Sequence, residues 1–289
     1  MTTAIVGFSL INVIVKITHV PAIAFAFYRL WLGSFAMLVA LRVARRRVTW
    51  AKVRPAIPAG VLFGLNIALF FSALKRTSVA DVLVISALQP ALTLLVAGPL
   101  FGERITRSDA AWTAASLGGV VLVTVGSSGT PVWSLRGDLL AVGSLLAWTI
   151  YFLVSKRVRT EVPALEYMAG VTVTAALVMT PVALLTRQPL GSLRLTDWLW
   201  LLLFVAGAQG GHVMLAWAHA EVDVSVSSLL ILAQPIISSV AALLVLGESI
   251  TGLEIAGGVV VVISMAAVVR QATRARGGEA VPTAEAAPS

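Results

Sequence analysis

Long apolar runs separated by short polar breaks organise this chain. A helix that crosses a bilayer needs about 20 mostly apolar residues, with a range of roughly 17 to 25. Runs of that kind cover 3–18, 22–41, 55–74, 80–101, 110–126, 138–155, 164–185, 197–218, 224–246 and 252–269. They predict an all-α integral membrane protein with ten transmembrane helices. The first run is short and begins directly at Met1, so either it is tilted and thinly anchored or the natural start lies upstream. Neither a basic leader nor a small-residue cleavage site precedes it, and no signal peptide is expected.

Polar positions inside these runs recur. Leu88-Gln89-Pro90 is followed by Gly102-Glu103-Arg104-Ile105-Thr106, and Ala233-Gln234-Pro235 by Gly247-Glu248-Ser249-Ile250-Thr251. The interval is about 145 residues, and a fixed interval marks internal duplication. Ala73 answers Ala218, Val79 answers Val224 and Thr93 answers Ser238 in the same register. The expected organisation is a first five-helix repeat over 1–126, a Gly/Ser-rich connector over 127–137 and a second five-helix repeat over 138–270. A Pro/Ala/Glu tail over 271–289 has too little apolar content to fold and is expected to be a disordered cytoplasmic tail.

Charge orients these spans. Arg42, Arg45, Arg46 and Arg47 close the second run, with Lys52 and Arg54 just beyond. Placing that loop in the cytoplasm also puts Arg104, Arg107, Lys156, Arg157, Arg159, Arg270, Arg274 and Arg276 inside. Two-thirds of the 21 basic residues then face the cytoplasm, as the positive-inside rule requires. Both termini are expected to be cytoplasmic. Because each repeat has an odd number of spans, the two halves have opposite orientation. Inverted repeats of this kind recur in secondary transporters, with the binding site near the bilayer midplane between the halves.

Composition narrows the alternatives. Residues are 58% hydrophobic and 12% charged, against roughly a quarter charged in soluble domains. The net charge of +8 sits in short clusters between apolar runs, not on a continuous basic face, so nucleic acid is not an expected partner. The absence of cysteine removes disulfides and thiolate chemistry. No Gly-Lys-Ser/Thr phosphate loop is present, and every carboxylate lies at or near a span end. No metal site, cofactor or enzymatic activity is expected.

Candidate chemistry lies in the polar residues at depth. Pro90 and Pro235 fall near the middle of their spans, where proline removes a backbone hydrogen bond and kinks the helix. They are the candidate kinks and gating points. Gln89 and Gln234, each preceding its proline, could satisfy the freed backbone or meet a substrate. Asn66, Gln209 and His212 are further candidate contacts, with Asn66 answering Gly211 in the repeat. His212 would suit proton coupling if water reached it. Arg29, about eight residues into its span, costs at least about 2.5 kcal/mol in lipid, so it should face the bundle or a cavity. It could bind a substrate carboxylate or phosphate. Trp148 and Tyr151 are candidate cavity-wall residues; Trp31, Trp217 and Tyr28 are weighed against packing and interfacial anchoring. Phe63, Phe70 and Phe71 are read as packing or lipid-facing. Gly102-Glu103 and Gly247-Glu248 are read as structural helix ends.

Together these residues resemble the EamA-type members of the drug/metabolite transporter superfamily. The likeness is carried by ten spans in two halves, by Ala73-Leu74-Lys75-Arg76-Thr77-Ser78, by Tyr28-Arg29 and by the two Gln-Pro and Gly-Glu copies. The resemblance implies a multi-pass carrier in a bacterial-type plasma (inner) membrane. It implies export of small metabolites such as amino acids or related compounds, a central cavity between the halves, and peripheral fifth and tenth helices. The short first span is a departure that puts any substrate role for Asn12 in doubt. Expected partners are a small-molecule substrate, the lipid bilayer and, as one mode of assembly, a homodimer. The alternatives are a passive channel or scramblase-like facilitator and, behind them, a membrane-embedded transferase.

Overall fold

The computed structural model describes residues 20–279 apart from 48, 75, 78, 103–105, 129–133, 192, 234–235, 238–239, 241–242 and 245–249. The expected first span with Asn12, together with Glu103, Gln234, Pro235, Gly247 and Glu248, therefore lies outside the described residues. The helices are α1 (Ala22–Val43), α2 (Trp50–Val53), α3 (Ile57–Leu74), α4 (Val79–Ala87), α5 (Gln89–Phe101) and α6 (Arg107–Ser128). They continue as α7 (Leu135–Arg159), α8 (Ala164–Leu185), α9 (Leu195–Glu221), α10 (Val224–Leu230) and α11 (Gly252–Glu279). Among the described residues there is no strand, and 8 helical spans are long and apolar enough to cross a membrane. The ninth expected span is described only in part.

Two helices share their construction end for end. Pro21 and Pro163 open α1 and α8 with extended backbone (ψ 138° and 150°), and each helix runs for 22 residues. The Pro21 carbonyl accepts from Phe25 N at 2.8 Å, and the Pro163 carbonyl from Tyr167 N at 3.0 Å. Both helices end with an arginine in the left-handed region, Arg45 at φ 53° and Arg187 at φ 49°. Arg46 N then reaches back to Leu41 O at 2.9 Å and Gln188 N to Ala183 O at 3.1 Å, the pairing of a Schellman end. The interval here is about 142 residues, three fewer than in the Gln-Pro copies, and the two sequences share almost nothing.

The later helices keep the longer interval. Thr106 and Asp109 cap α6 reciprocally: Thr106 N donates to Asp109 Oδ2 at 2.8 Å and Asp109 N to Thr106 Oγ1 at 3.1 Å. Thr251 and Glu254 do the same for α11, at 2.7 and 3.3 Å. Each box satisfies helix-end N–H groups that lipid could not.

The fourth span differs from expectation in one respect. It is not a single kinked helix but two, separated at Leu88. Pro90 has no N–H to offer the preceding turn, so Leu88 N bonds Ile85 O at 3.1 Å and the ladder restarts with Leu92 N on Leu88 O at 3.1 Å. In the second copy α10 stops at Leu230 and passes into a 3-10 turn, Ile231–Ala233, at the same register. Gly102 closes α5 in the left-handed conformation (φ 68°). At the far end, α11 continues past Arg270 to Glu279, into the stretch expected to be tail. Gln271, Ala272 and Arg274 are good helix formers and let the helix run on.

Packing separates a bundle from a pair. Phe63, Ile67 and Phe71 of α3, Tyr151 and Phe152 of α7, and Tyr167, Met168 and Met179 of α8 form the main core with Leu30 and Met37 of α1. Gly60 and Gly64 bring α3 against α8: a Cβ on Gly60 would meet the Val171 carbonyl at 2.8 Å. α6 and α11 instead pack antiparallel on each other. Gln271 lies on Ser108 at 2.8 Å, a Cβ on Gly119 would meet the Gly257 carbonyl at 2.8 Å, and Gly126 sits against Thr251 and Glu254. α1 and α8 are antiparallel too, since Arg46 pairs with Glu166 while Trp31 Nε1 bonds Thr180 Oγ1 at 3.1 Å.

Candidate functional site

Four helices bring a cation and a set of rings together. α1 supplies Arg29, α3 Phe63, α7 Trp148 and Tyr151, and α9 Phe204 and His212. The Arg29 guanidinium carbon lies 5.3 Å from the Phe204 ring centroid and 5.8 Å from that of Phe63. Such distances allow cation–π attraction, about 0.5–2 kcal/mol depending on desolvation. Phe63 meets His212 edge-on at 4.9 Å and lies 5.3 Å from Tyr151, which stacks on Trp148 at 5.0 Å and 27°. Phe63, Tyr151 and His212 are almost wholly buried. No carboxylate among the described residues lies within ion-pair distance of Arg29. The arrangement can neutralise a carboxylate or phosphate and stack a flat or apolar group beside it.

The glutamines and the asparagine occupy other places. Asn66 Nδ2 donates to Ser144 Oγ at 2.9 Å and to its carbonyl at 3.0 Å, clamping α3 to α7. Gln209 Nε2 donates to Thr172 Oγ1 at 2.8 Å, joining α9 to α8, and its amide oxygen rests against Gly33. Gln89 is buried and bonds Thr93 Oγ1, one turn along its own helix, at 3.2 Å. These are the interhelical and intrahelical bonds expected of amides in lipid. Arg29, Trp148, Tyr151 and His212 are thus brought together, while Asn66, Gln209 and Gln89 are engaged with hydroxyl or backbone groups. Pro90 is buried at the start of α5.

Two residues of the cluster escaped the reading of the sequence. Phe63, expected to be packing or lipid-facing, does pack in the main core, and there it is also the ring between Arg29 and His212. Phe204 was not singled out at all. A flanking signal existed for neither, because a ring facing a neighbour helix and a ring facing lipid are equally apolar. Trp217 is 58% exposed and faces outward; Tyr28 Oη accepts from Gly191 N at 3.0 Å and anchors the turn after α8.

A second polar group was also unforeseen. Glu166, buried at the start of α8, accepts from Lys52 Nζ at 3.1 Å and pairs with Arg46 at 3.3 Å. Nearby, Arg159, Lys156 and Ser155 of α7 reach across to the end of α9. Among the described residues no group of three or more His, Asp and Glu has the spacing of a metal site.

Comparisons agree with this architecture. The model of the EamA-like transporter family matches residues 1–125 and 135–270. An uncharacterized transporter, YyaM, of Bacillus subtilis (strain 168) is 25% identical over 210 residues, covering 71% of this chain and 68% of the relative. A crystal structure superposes with a TM-score of 0.83 at 20% identity, over 94% of this chain and 96% of the other, and shows that the fold is shared. Spanning helices, antiparallel pairing and the family match along nearly the whole length lead to one assignment: the chain is a multi-pass membrane protein and belongs to the EamA-like transporter family.

Proposed function

We propose that the chain is a secondary carrier that exports a small metabolite, such as an amino acid or related compound, by alternating access across a bacterial-type inner membrane. The halves are residues 1–126 and 138–270, inverted with respect to each other, with both termini in the cytoplasm. The observation that carries the proposal is Arg29, a guanidinium held inside a span by two ring faces where α1 and α3 of one half meet α7 and α9 of the other. A substrate carboxylate would bind Arg29, and Phe63, Trp148, Tyr151, Phe204 and His212 would line the rest. The breaks at Leu88 and at Ile231–Ala233 support this reading, because interrupted helices in matching positions of two halves accompany binding sites in carriers. Movement about these breaks, next to Pro90 and Pro235, would open one side at a time.

Proteoliposome uptake tests the proposal. The panel comprises neutral and aromatic amino acids, a purine, a sugar and a quaternary amine, each with and without preloaded cold compound. Saturable flux accelerated by preloading, confined to carboxylate-bearing compounds, is expected. Non-saturable flux indifferent to preloading would instead mark a channel or scramblase-like facilitator.

A further inference from the structure

One turn of α7 fastens onto the last turn of α9 at three points. Ser155 Oγ lies 2.7 Å from His219 Nδ1. Arg159 Nε donates to the Ala216 carbonyl at 2.7 Å, and Lys156 Nζ donates to the Val222 carbonyl at 2.6 Å. The two cations also suit the negative end of the α9 dipole. His219 and Ser155 are fully buried, and the Phe152 ring packs against the imidazole edge-on at 4.6 Å. His219 Nε2 has no hydrogen-bond partner among the described residues. In the tautomer in which Nδ1–H donates to Ser155 Oγ, Nε2 keeps the lone pair that takes a proton.

The surroundings decide when that proton can be carried. The charged groups that face His219 are Lys156 and Arg159 on α7, and Arg159 in turn faces Glu166 and Tyr167 on α8 and Glu221 on α9 itself. Glu166 is already engaged by Arg46 and Lys52. A proton on His219 in the closed seam would add a third positive charge beside two others, out of contact with water. Parting α7 from α9 hydrates the ring and removes that penalty.

We propose that His219 is a cytoplasm-facing proton site that opens the α7–α9 seam when the cytoplasm acidifies. The inference rests on the alternating-access reading above, in which the seam is the inner closure. The proton enters at Nε2 from the cytoplasm as the seam parts and returns there as it closes; no other bond changes. The open form binds more protons than the closed one, so falling pH favours opening. With an ordinary histidine in the open form, the open-to-closed ratio rises about tenfold per pH unit below about 6.5.

The test needs no substrate. The chain has no cysteine, so Ala216→Cys places one thiol in the buried seam and leaves the backbone carbonyl for Arg159. Its labelling by a membrane-impermeant maleimide in nanodiscs is measured from pH 8 to 5, each rate divided by that of the unfolded chain at the same pH. The expected result is a steep rise below about pH 6.5 that vanishes when His219→Gln is added. Ser155→Ala in the same background keeps the histidine, and is expected to raise labelling at every pH while preserving the slope. Labelling that is flat with pH, or a slope that survives His219→Gln, overturns the proposal. Flux in proteoliposomes is scored separately: pH-dependent labelling without flux of any compound counts against the carrier reading and leaves the proton site standing.

Discussion

α1 and α8 are the same helix built twice and used differently. Length, opening proline, left-handed arginine and closing hydrogen bonds coincide, yet the residue that answers Arg29 of α1 is Val171 of α8. Arg29 reaches ring faces in the space between the halves; Val171 is fully buried against Gly60 of α3. The scaffold is held by backbone geometry, which tolerates sequence drift, whereas the candidate site is held by side chains and is one-sided. The two helices share a backbone frame, and only α1 carries an arginine at the matching position.

Exchanging the two roles is the harshest way to break this comparison. Val171→Arg forces a guanidinium into the α3–α8 contact, where intramembrane charge costs at least about 2.5 kcal/mol and overpacking about 1–3 more. Loss of folded protein on size-exclusion chromatography is expected. Recovery of a folded, active variant would mean that the two helices are interchangeable after all. Next in size is Arg29→Gln, expected to fold normally and to lower flux of a carboxylate substrate about hundredfold, the loss typical of one charged partner. Equal loss for a neutral compound would assign Arg29 to structure instead.

Smaller effects sharpen the scaffold side. Gly257→Leu should weaken the α6–α11 crossing, lowering thermal stability by about 1–3 kcal/mol with the substrate profile unchanged. The gentlest test uses the shared helix ends. Arg45→Gly and Arg187→Gly each relieve a left-handed residue that costs about 1–2 kcal/mol, less the entropy glycine loses. Gains of up to about 1 kcal/mol, similar in the two variants, are expected from denaturant titration. A gain in only one would show that the two ends are not equivalent.

How far the molecule was legible in its sequence depended on which force marked each feature. The seventh expected span, 164–185, coincides with α8 because Pro163 sets one end and a polar turn the other. Gln89-Pro90 and Gln234-Pro235 exposed the repeat, since such pairs are rare inside apolar runs. The kinship of α1 and α8 was invisible, because it resides in φ and ψ and not in side chains. The proline break at Leu88 was anticipated as a bend, but its completeness depended on how the flanking N–H groups rebonded. Around the candidate site, Arg29 and His212 stood out as polar residues in apolar surroundings. Phe63 and Phe204 did not, because lipid is as apolar as a protein core and periodicity cannot distinguish the two faces. Ser155, Arg159 and His219 lie on two helices far apart in sequence, and only folding brings them into register.

The crossing of α6 and α11 would have a mechanical meaning in the proposed carrier. One helix comes from each proposed half, and at Gly119 and Gly257 their backbones nearly touch. Gly126 against Thr251 and Glu254 at one end and the Gln271–Ser108 contact at the other hold the pair along its length. Two bodies joined along one line can turn about it but cannot drift apart. The pair would serve as an axle, and because it lies to one side of the main core, a rotation of a few degrees about it is magnified at the far rim. The smallest residues in the chain would thus set the lever arm for its largest motion.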